Sequence, residues 1–227
     1  MYAPMRASLA RRVVAEAIGT AFLLAIVVGS GIMGESLANG NAAVALLANS
    51  LATGAGLLAL ILTFGPVSAH FNPVVTIADA SLGGIPWRDV PPYLGAQVGG
   101  AFAGVGLAHV MFGKALVSVS HADRSGLGRG VAEVVATFGL IATIHACSRR
   151  RETMTPFAVA AYITAAYWFT SSTSFANPAV TLARAATSTF AGIRVSDVPL
   201  FVAAEVIGAA MATVVFGWLV PKTEESR

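Results

Sequence analysis

Long, uninterrupted apolar runs dominate this sequence and restrict it to a membrane. An α-helix needs about 20 apolar residues to cross a hydrocarbon core roughly 30 Å thick. Six stretches of about this length occur, at residues 13–33, 42–64, 93–112, 130–147, 156–169 and 198–220. Only 11% of the residues are charged, against about 25% in soluble domains. The runs are also too continuous for the alternating strands of a membrane barrel. We therefore expect an all-α membrane protein, not a soluble enzyme or a nucleic-acid binder.

The distribution of basic residues predicts the orientation of the spans. An even number of spans places both termini on one side, which also holds the second and fourth connecting loops. Basic residues on that side are Arg6, Arg11, Arg12, Arg88, Arg149, Arg150, Arg151, Lys222 and Arg227, against five on the other side. Cytoplasmic loops carry the excess of Lys and Arg. We expect an integral protein of a bacterial cytoplasmic membrane with both termini in the cytoplasm.

The two halves of the chain share three short sequence matches in the same order. They are VAE at 14–16 and 131–133, NPVVTIA at 72–78 and NPAVTLA at 177–183, and DVP at 89–91 and 197–199. This order predicts one domain built by duplicating a three-span unit, at about 10–113 and 128–221. Because three is an odd number, the second unit enters the membrane from the opposite side, which gives an inverted repeat.

Each Asn-Pro pair lies between the second and third span of its unit and precedes about seven mostly apolar residues. Pro73 and Pro178 suit the first turn of a helix, where the missing N–H costs nothing. Asn72 and Asn177 are favoured N-cap residues. Such a segment is too short to cross the membrane and too apolar for an ordinary loop. We therefore expect two re-entrant half-helices that begin near the middle of the membrane.

The two half-helices predict the chemistry of the site between them. Irregular backbone at this depth is tolerated only inside protein or beside a water-filled cavity. Two N-termini that meet place two positive dipole ends at one point. Such a site favours a neutral solute with oxygen lone pairs and repels cations, including hydronium. The alternative, that Asn-Pro marks two ordinary turns, does not explain two copies at equivalent places in a duplication.

These features resemble the aquaporin (major intrinsic protein) family. The resemblance covers nearly the whole chain and includes AHFNPVVT at 69–76, NPA at 177–179, and the glutamates Glu16 and Glu133 in the first span of each half. It implies six spans, a homotetramer with one pore in each subunit, and passive flux of water and small neutral solutes.

The sequence departs from the family pattern where the family sets its selectivity. Val180 stands where most members have an arginine, and Val74 replaces the alanine of the first Asn-Pro-Ala. By the family's spacing, the constriction is formed by Val180, Ser174, Ala165 and Ala52. This ring predicts a wide filter suited to glycerol, urea or neutral metalloid hydroxides such as arsenite.

The last two members of the ring rest on an ungapped alignment. A shift of about one turn moves the assignment toward Tyr162 or Asn49. Arg184 lies four residues after Val180, so it occupies the same helical face about one turn further on. Either it reaches back to restore a positive constriction, or its side chain snorkels to the outer interface. We favour the second of these.

Four other polar residues have two possible roles each. Glu16 and Glu133 either brace the half-helices, by accepting hydrogen bonds from unpaired N–H groups, or form a proton relay with Glu205. We favour bracing because the two residues are related by the repeat. His70 is expected at the cytoplasmic wall of the pore, where it lines the wall or acts as a pH gate.

The runner-up function is an ion-coupled secondary transporter of a small neutral or anionic solute, because such proteins also use inverted repeats and broken helices. An anion channel is a weaker alternative. An intramembrane enzyme is disfavoured because no nucleophile stands beside a base. We expect no metal, cofactor or nucleic-acid partner, and the lone Cys147 excludes an internal disulfide.

Overall fold

The structure is a computed structural model, which describes residues 7–221. Three of the basic residues used for the orientation, Arg6, Lys222 and Arg227, lie outside the described residues. The described chain folds into eight α-helices joined by turns and irregular loops. They are α1 Leu9–Leu37, α2 Ala42–Phe64, α3 Pro73–Ser81, α4 Val90–Met111, α5 Leu127–Arg150, α6 Thr155–Phe169, α7 Pro178–Arg184 and α8 Val198–Leu219.

Five helices are long and apolar enough to cross a membrane, namely α1, α2, α4, α5 and α8. The sixth predicted span, 156–169, is the helix α6, which has 15 residues. At 1.5 Å per residue it rises only about 22 Å, less than a full hydrocarbon core. A 3-10 turn at Glu152–Met154 precedes it. Despite its length, α6 packs against both α2 and α5. The regular elements of residues 7–221 are all helices, which confirms the all-α expectation.

The order of elements in the first half recurs in the second. Each half has two helices, a short helix that begins at Asn-Pro, a 3-10 turn and a final long helix, and the second half has an additional 3-10 turn between its first two helices. The first and last helices of each half form the closest pairs, α1 with α4 and α5 with α8, while α2 contacts α6 across the two halves.

Small residues allow the close approach of these helix pairs. A Cβ atom at Gly104 of α4 would collide with the backbone oxygen of Ala21 in α1. Gly208 of α8 has the same relation to the backbone oxygen of Val134 in α5. The glycines therefore set the distance between the helices, as small residues do at membrane helix interfaces.

The two short helices begin at the residues that the sequence predicts. Asn72 is the N-cap of α3 and Asn177 is the N-cap of α7, each followed by a proline in the first turn. The short helices α3 and α7 contact each other, and each also packs on the last helix of both halves. They therefore meet in the interior of the helical bundle.

Candidate functional site

The two asparagines join the N-termini of the half-helices. Asn72 accepts a hydrogen bond from the N–H of Val74 at its Oδ1, and its Nδ2 donates to the carbonyl of Ala176 at 2.7 Å. Asn177 mirrors this arrangement, with its Nδ2 donating to the carbonyl of Phe71 at 2.8 Å. Each Nδ2 carries two hydrogens, so each side chain keeps one donor beyond the bond that crosses to the other half. Both asparagines line a cavity.

Two buried glutamates hold the backbone that leads into each half-helix. Glu16 accepts hydrogen bonds from the N–H groups of the two residues before Asn72, at 2.8 and 2.6 Å. Glu133 accepts the corresponding pair before Asn177, at 2.9 and 2.7 Å. A carboxylate with two N–H donors compensates the cost of irregular backbone at this depth. This geometry is that of a brace for each half-helix.

Glu16 and Glu133 differ in the residue that the last helix of each half places beside them. Gln97 of α4 donates from Nε2 to Glu16 at 2.8 Å. The corresponding residue of α8 is Glu205, whose carboxyl group accepts a hydrogen bond from Oγ1 of Thr181 at 2.6 Å. Its second oxygen, Oε2, is buried without a hydrogen-bond partner among the described residues. The second half therefore has a carboxyl group where the first half has an amide donor.

A cavity of about 390 Å³ follows the two half-helices through the bundle. One end lies between the C-terminal part of α5, with His145 and Arg149, and the C-terminal end of α3, with Asp79. The other end lies at α7, where Ser174 and Arg184 are part of the wall. The asparagine pair stands between these ends, so a solute that travels along the cavity passes both N-caps.

Two of the four predicted ring positions lie in the cavity wall, and two do not. Val180 and Ser174 line it. Ala165 is exposed on the outside of the bundle, and α6 presents Tyr167 to the cavity in its place. Ala52 is half-buried outside the lining, and its neighbour on α2 faces the cavity instead. Each residue along a helix turns the side chain by about 100°, so displacements of one residue on α2 and two residues on α6 account for the difference.

The wall at this level contains a hydrogen-bonded pair of hydroxyls. Tyr167 donates from its phenol oxygen to Oγ1 of Thr53 at 3.2 Å, and both residues are buried. The alternatives Tyr162 and Asn49 do not line the cavity: Tyr162 bonds to the carbonyl of Val135, and Asn49 donates to the carbonyl of Val27. The cavity wall at this level therefore carries larger and more polar side chains than the four small residues expected.

Arg184 does not snorkel to the outer interface. Its side chain is buried, with 2% of the residue exposed, and it lines the cavity. Its Nε donates to the carbonyl of Ala191, and its guanidinium carbon lies 3.4 Å from the centroid of the Phe175 ring. The favoured expectation was therefore wrong. The hydrogen bond and the aromatic ring hold the side chain inward, next to Val180.

His70 lies in the cavity wall at the end opposite Arg184. Its Nδ1 is 3.1 Å from Oγ1 of Thr76, and its Nε2 is 3.7 Å from Oδ2 of Asp79. Asp79 occupies the position in α3 that Arg184 occupies in α7. The end of the cavity at His70 therefore combines the carboxylate of Asp79 with the guanidinium of Arg149, whereas the described lining at the other end has the guanidinium of Arg184 and no carboxylate.

Sequence reasoning missed two residues at the outer end. Phe175 lines the cavity two residues before Asn177, the position that His70 has before Asn72, so the repeat could have identified it. Arg124, in the loop between α4 and α5, donates to the carbonyl of Gly192 at 2.7 Å and lies 4.9 Å from the centroid of the Phe175 ring. No motif in the sequence marks it. Burial, aided by the charge of nearby Arg129, lowers the pKa of Arg124 to about 10.

Comparisons with known proteins agree with this geometry. A family model described as "Major intrinsic protein" matches residues 4–170. Aquaglyceroporin AqpS from Rhizobium meliloti (strain 1021) is 52% identical over 212 residues, which cover 93% of this chain and 91% of that protein. Aquaglyceroporin-3 from Trypanosoma brucei brucei is 34% identical over 125 residues, which cover 54% of this chain and 40% of that protein.

A solved structure has the same arrangement of helices. The X-ray structure of the aquaglyceroporin from Plasmodium falciparum matches with a TM-score of 0.68 and covers 93% of this chain and 95% of that one. The two sequences are 18% identical, so this likeness concerns the fold.

Proposed function

The chain belongs to the major intrinsic protein family and is a passive membrane channel for water and small solutes such as glycerol, and on this premise we propose a wide outer constriction formed by Val180, Ser174, Thr53 and Tyr167 with Arg184 beside it. The solutes that suit it are small, uncharged and rich in hydrogen-bonding groups. They are glycerol, urea and neutral hydroxides of trivalent arsenic or antimony.

The observation that carries this proposal is the pair Val180 and Arg184. A valine at the lumen leaves space that a guanidinium would fill, while Arg184, one turn away on the same face, keeps a donor fork beside the passage. Guanidinium groups donate in pairs to neighbouring oxygens. The hydroxyls of Thr53 and Ser174 add further hydrogen-bonding groups to the wall. Vicinal hydroxyls of a polyol, or the three hydroxyls of a metalloid acid, match this set of groups.

The centre of the cavity supports exclusion of cations. The N-termini of α3 and α7 point their positive dipole ends at one place, and each asparagine has a free amide hydrogen there. A neutral solute accepts hydrogen bonds from these donors, whereas a cation is repelled by both helices. The roles of Glu16, Glu133, Pro73 and Pro178 in this proposal are to shape and hold the two half-helices, without a catalytic step.

Assembly and location complete the proposal. Large apolar side chains are exposed along α1, for example Val14, Ile18 and Phe22, at intervals of four residues. Such a stripe suits lipid or a neighbouring subunit. We propose a homotetramer in a bacterial cytoplasmic membrane, with both termini in the cytoplasm and with the two halves related as inverted repeats in one domain.

Stopped-flow swelling of proteoliposomes tests the width of the constriction. The assay compares water, glycerol, urea and trivalent arsenic acid for the native protein, Val180→Arg and the near-isosteric control Val180→Thr. We expect Val180→Arg to reduce glycerol permeability relative to water by about tenfold, equivalent to roughly 1.4 kcal/mol, and Val180→Thr to leave the ratio unchanged. An unchanged ratio in Val180→Arg would show that Val180 is not at the constriction.

A further inference from the structure

The loop between α4 and α5 is anchored over the outer end of the cavity by Arg124. Besides its bond to Gly192, the guanidinium donates to the carbonyl of Ser172 at 3.2 Å, to Oγ1 of Thr173 at 3.3 Å and to the carbonyl of Phe190 at 3.5 Å. Arg124 thereby connects three loops: its own, the loop before α7 and the loop after α7. The acceptors lie before α7 and after it, so Arg124 fixes the position of the segment that enters the second half-helix.

That segment has an unusual backbone. Thr173, Ser174 and Ala176 have positive φ angles of 64°, 50° and 48°. Each is a costly conformation for a residue with a side chain, and such residues persist only where their surroundings hold them. Arg124 binds the segment from outside, and Glu133 binds it from within the bundle. Between the two supports lies Phe175, whose ring lines the cavity.

Phe175 contacts two guanidinium groups at once. The guanidinium carbon of Arg184 is 3.4 Å from the ring centroid, and that of Arg124 is 4.9 Å away. Cations are attracted to the face of an aromatic ring within about 6 Å. The ring also packs edge-on against Phe201, with centroids 5.0 Å apart. Phe175 is therefore held by two positive groups and one aromatic neighbour.

The two arginines differ from the other arginines of this region in their partners. Arg129 and Arg194 form ion pairs with Asp123, and Arg194 also pairs with Asp197. Neither Arg124 nor Arg184 has an ion pair with a carboxylate among residues 7–221. Their guanidinium groups instead bind carbonyl oxygens and the Phe175 ring. Such groups order a loop through geometry that only a planar fork provides.

We propose that Arg124 is a positioning residue for the channel's selectivity: acting through Phe175, it fixes the width of the outer constriction and so sets the largest solute that passes. Arg124 itself does not line the cavity. The two side chains it positions, Phe175 and Ser174, do. Without Arg124, Phe175 keeps the contact with Arg184 but loses its fixed place relative to the loops after α6 and α7, and the opening widens.

This inference rests on the proposed function, because a size limit has meaning only in a channel that admits polyols. A purely structural role for Arg124 makes a different prediction. If the hydrogen bonds of Arg124 merely support folding, their loss reduces the flux of every solute in the same proportion. Loss of a positioning residue changes the ratio between large and small solutes while water still passes.

The test uses Arg124→Gln, Arg124→Lys and the control Arg129→Gln, each purified as the full chain and reconstituted in vesicles. Permeability to water, to glycerol and to a five-carbon polyol is measured by stopped-flow light scattering. Arg124→Lys keeps the charge, but a single ammonium cannot reach the three loops that the guanidinium fork joins. It therefore separates the effect of charge from that of geometry.

We expect Arg124→Gln to raise the permeability ratio of the five-carbon polyol to glycerol at least about threefold, with water flux close to native. Arg124→Lys should raise the same ratio, and Arg129→Gln should leave it unchanged. If Arg124→Gln does not insert, Arg124→Lys decides the question alone. A native ratio in whichever variant inserts overturns the inference, as does a proportional loss of all fluxes in both variants.

Failure of the proposed function gives a different result. In that case the native protein itself excludes glycerol while passing water. The inference about Arg124 then stands or falls on whether Arg124→Gln admits glycerol that the native protein excludes.

Discussion

Arg184 stands one helical turn beyond Val180 on α7, and this displacement decides how much of the lumen its guanidinium can occupy. The Phe175 ring and the carbonyl of Ala191 hold the group inward. Its removal would leave Phe175 with the more distant of its two cation partners and would take a donor fork from the cavity wall. At the scale of single residues, we therefore propose that the selectivity of this pore depends on the contacts that surround Phe175.

We expect Arg184→Ala to raise the permeability to polyols larger than glycerol by several-fold, while water flux changes little. The reason is that both the volume and the positive charge of the side chain leave the outer end. Swelling rates for a series of polyols of increasing length measure the effect. An unchanged ranking of these solutes would exclude a filter role for Arg184.

The two buried glutamates of the second half differ in their hydrogen bonds, which predicts different results for two similar substitutions. Glu205→Gln should leave the unfolding free energy nearly unchanged, because the amide oxygen can still accept the hydrogen bond from Thr181 and an amide already occupies the corresponding position, Gln97, in the first half. Glu133→Gln should lower it by about 1–3 kcal/mol, because two buried N–H groups lose their charged acceptor. Denaturation in detergent micelles compares the two variants. Equal losses in both would contradict the bracing role assigned to Glu133.

The lowered pKa of Arg124 predicts a change at alkaline pH. Burial and Arg129 bring this pKa to about 10, so the guanidinium is charged below that pH and loses its proton above it. Glu133 and Tyr167 act in the opposite direction and favour the charged form. We expect the polyol-to-glycerol ratio of the native protein to rise as the pH passes 10. Arg124→Gln serves as the control, and a rise of the same size in that variant would refute the assignment.

The sequence located the cavity-lining residues that lie close to the second Asn-Pro motif in the chain, but not those on other helices or in distant loops. Val180 and Ser174 lie three residues from Asn177, so the motif fixes their positions within about one turn. Ala52 and Ala165 lie on other helices, where an error of one or two residues turns a side chain away from the lumen. Arg124 depends on loop contacts far apart in the chain, such as that with Phe190, and local patterns do not encode them.

At the scale of elements, the sequence predicted the fold well because local signals agreed with one another. The Asn-Pro pairs combine an N-cap with a proline in the first turn, and the structure begins α3 and α7 at those residues. Apolar length identified the long helices. It was less informative for α6, since its last apolar residues are followed by Thr170–Ser174, a polar segment that leaves the helix to enter the site.

The close contact of α1 and α4 makes a prediction about a single glycine. Gly104→Leu should destabilise the fold by about 3 kcal/mol or more, because the added side chain meets the backbone of Ala21 and not a movable side chain. Gly99→Leu on the same helix is the control, since no heavy atom lies within 4 Å of the Cβ position there. Thermal unfolding in detergent measures both. Similar stabilities for the two variants would mean that α1 and α4 are further apart than described.

At the scale of the whole molecule, three charged features lie along one passage. Asp79 and His70 stand at one end, Arg184 stands at the other, and the helix N-termini at Asn72 and Asn177 meet between them. A neutral solute meets hydrogen-bonding groups throughout. A cation meets both a carboxylate and a guanidinium at the first end, and at the centre it is repelled by both helix ends. The central claim is therefore that the two joined N-termini, and not the narrowness of the pore, reject cations.

Simultaneous measurement of glycerol flux and ionic current in reconstituted membranes tests this claim most directly, with the native protein and Asn177→Asp compared. The substitution removes the donor to the carbonyl of Phe71 and adds a negative charge where the positive helix ends meet. The account predicts glycerol flux without current for the native protein and a cation current for Asn177→Asp. A cation current through the native protein, or glycerol flux without any current in Asn177→Asp, would contradict it.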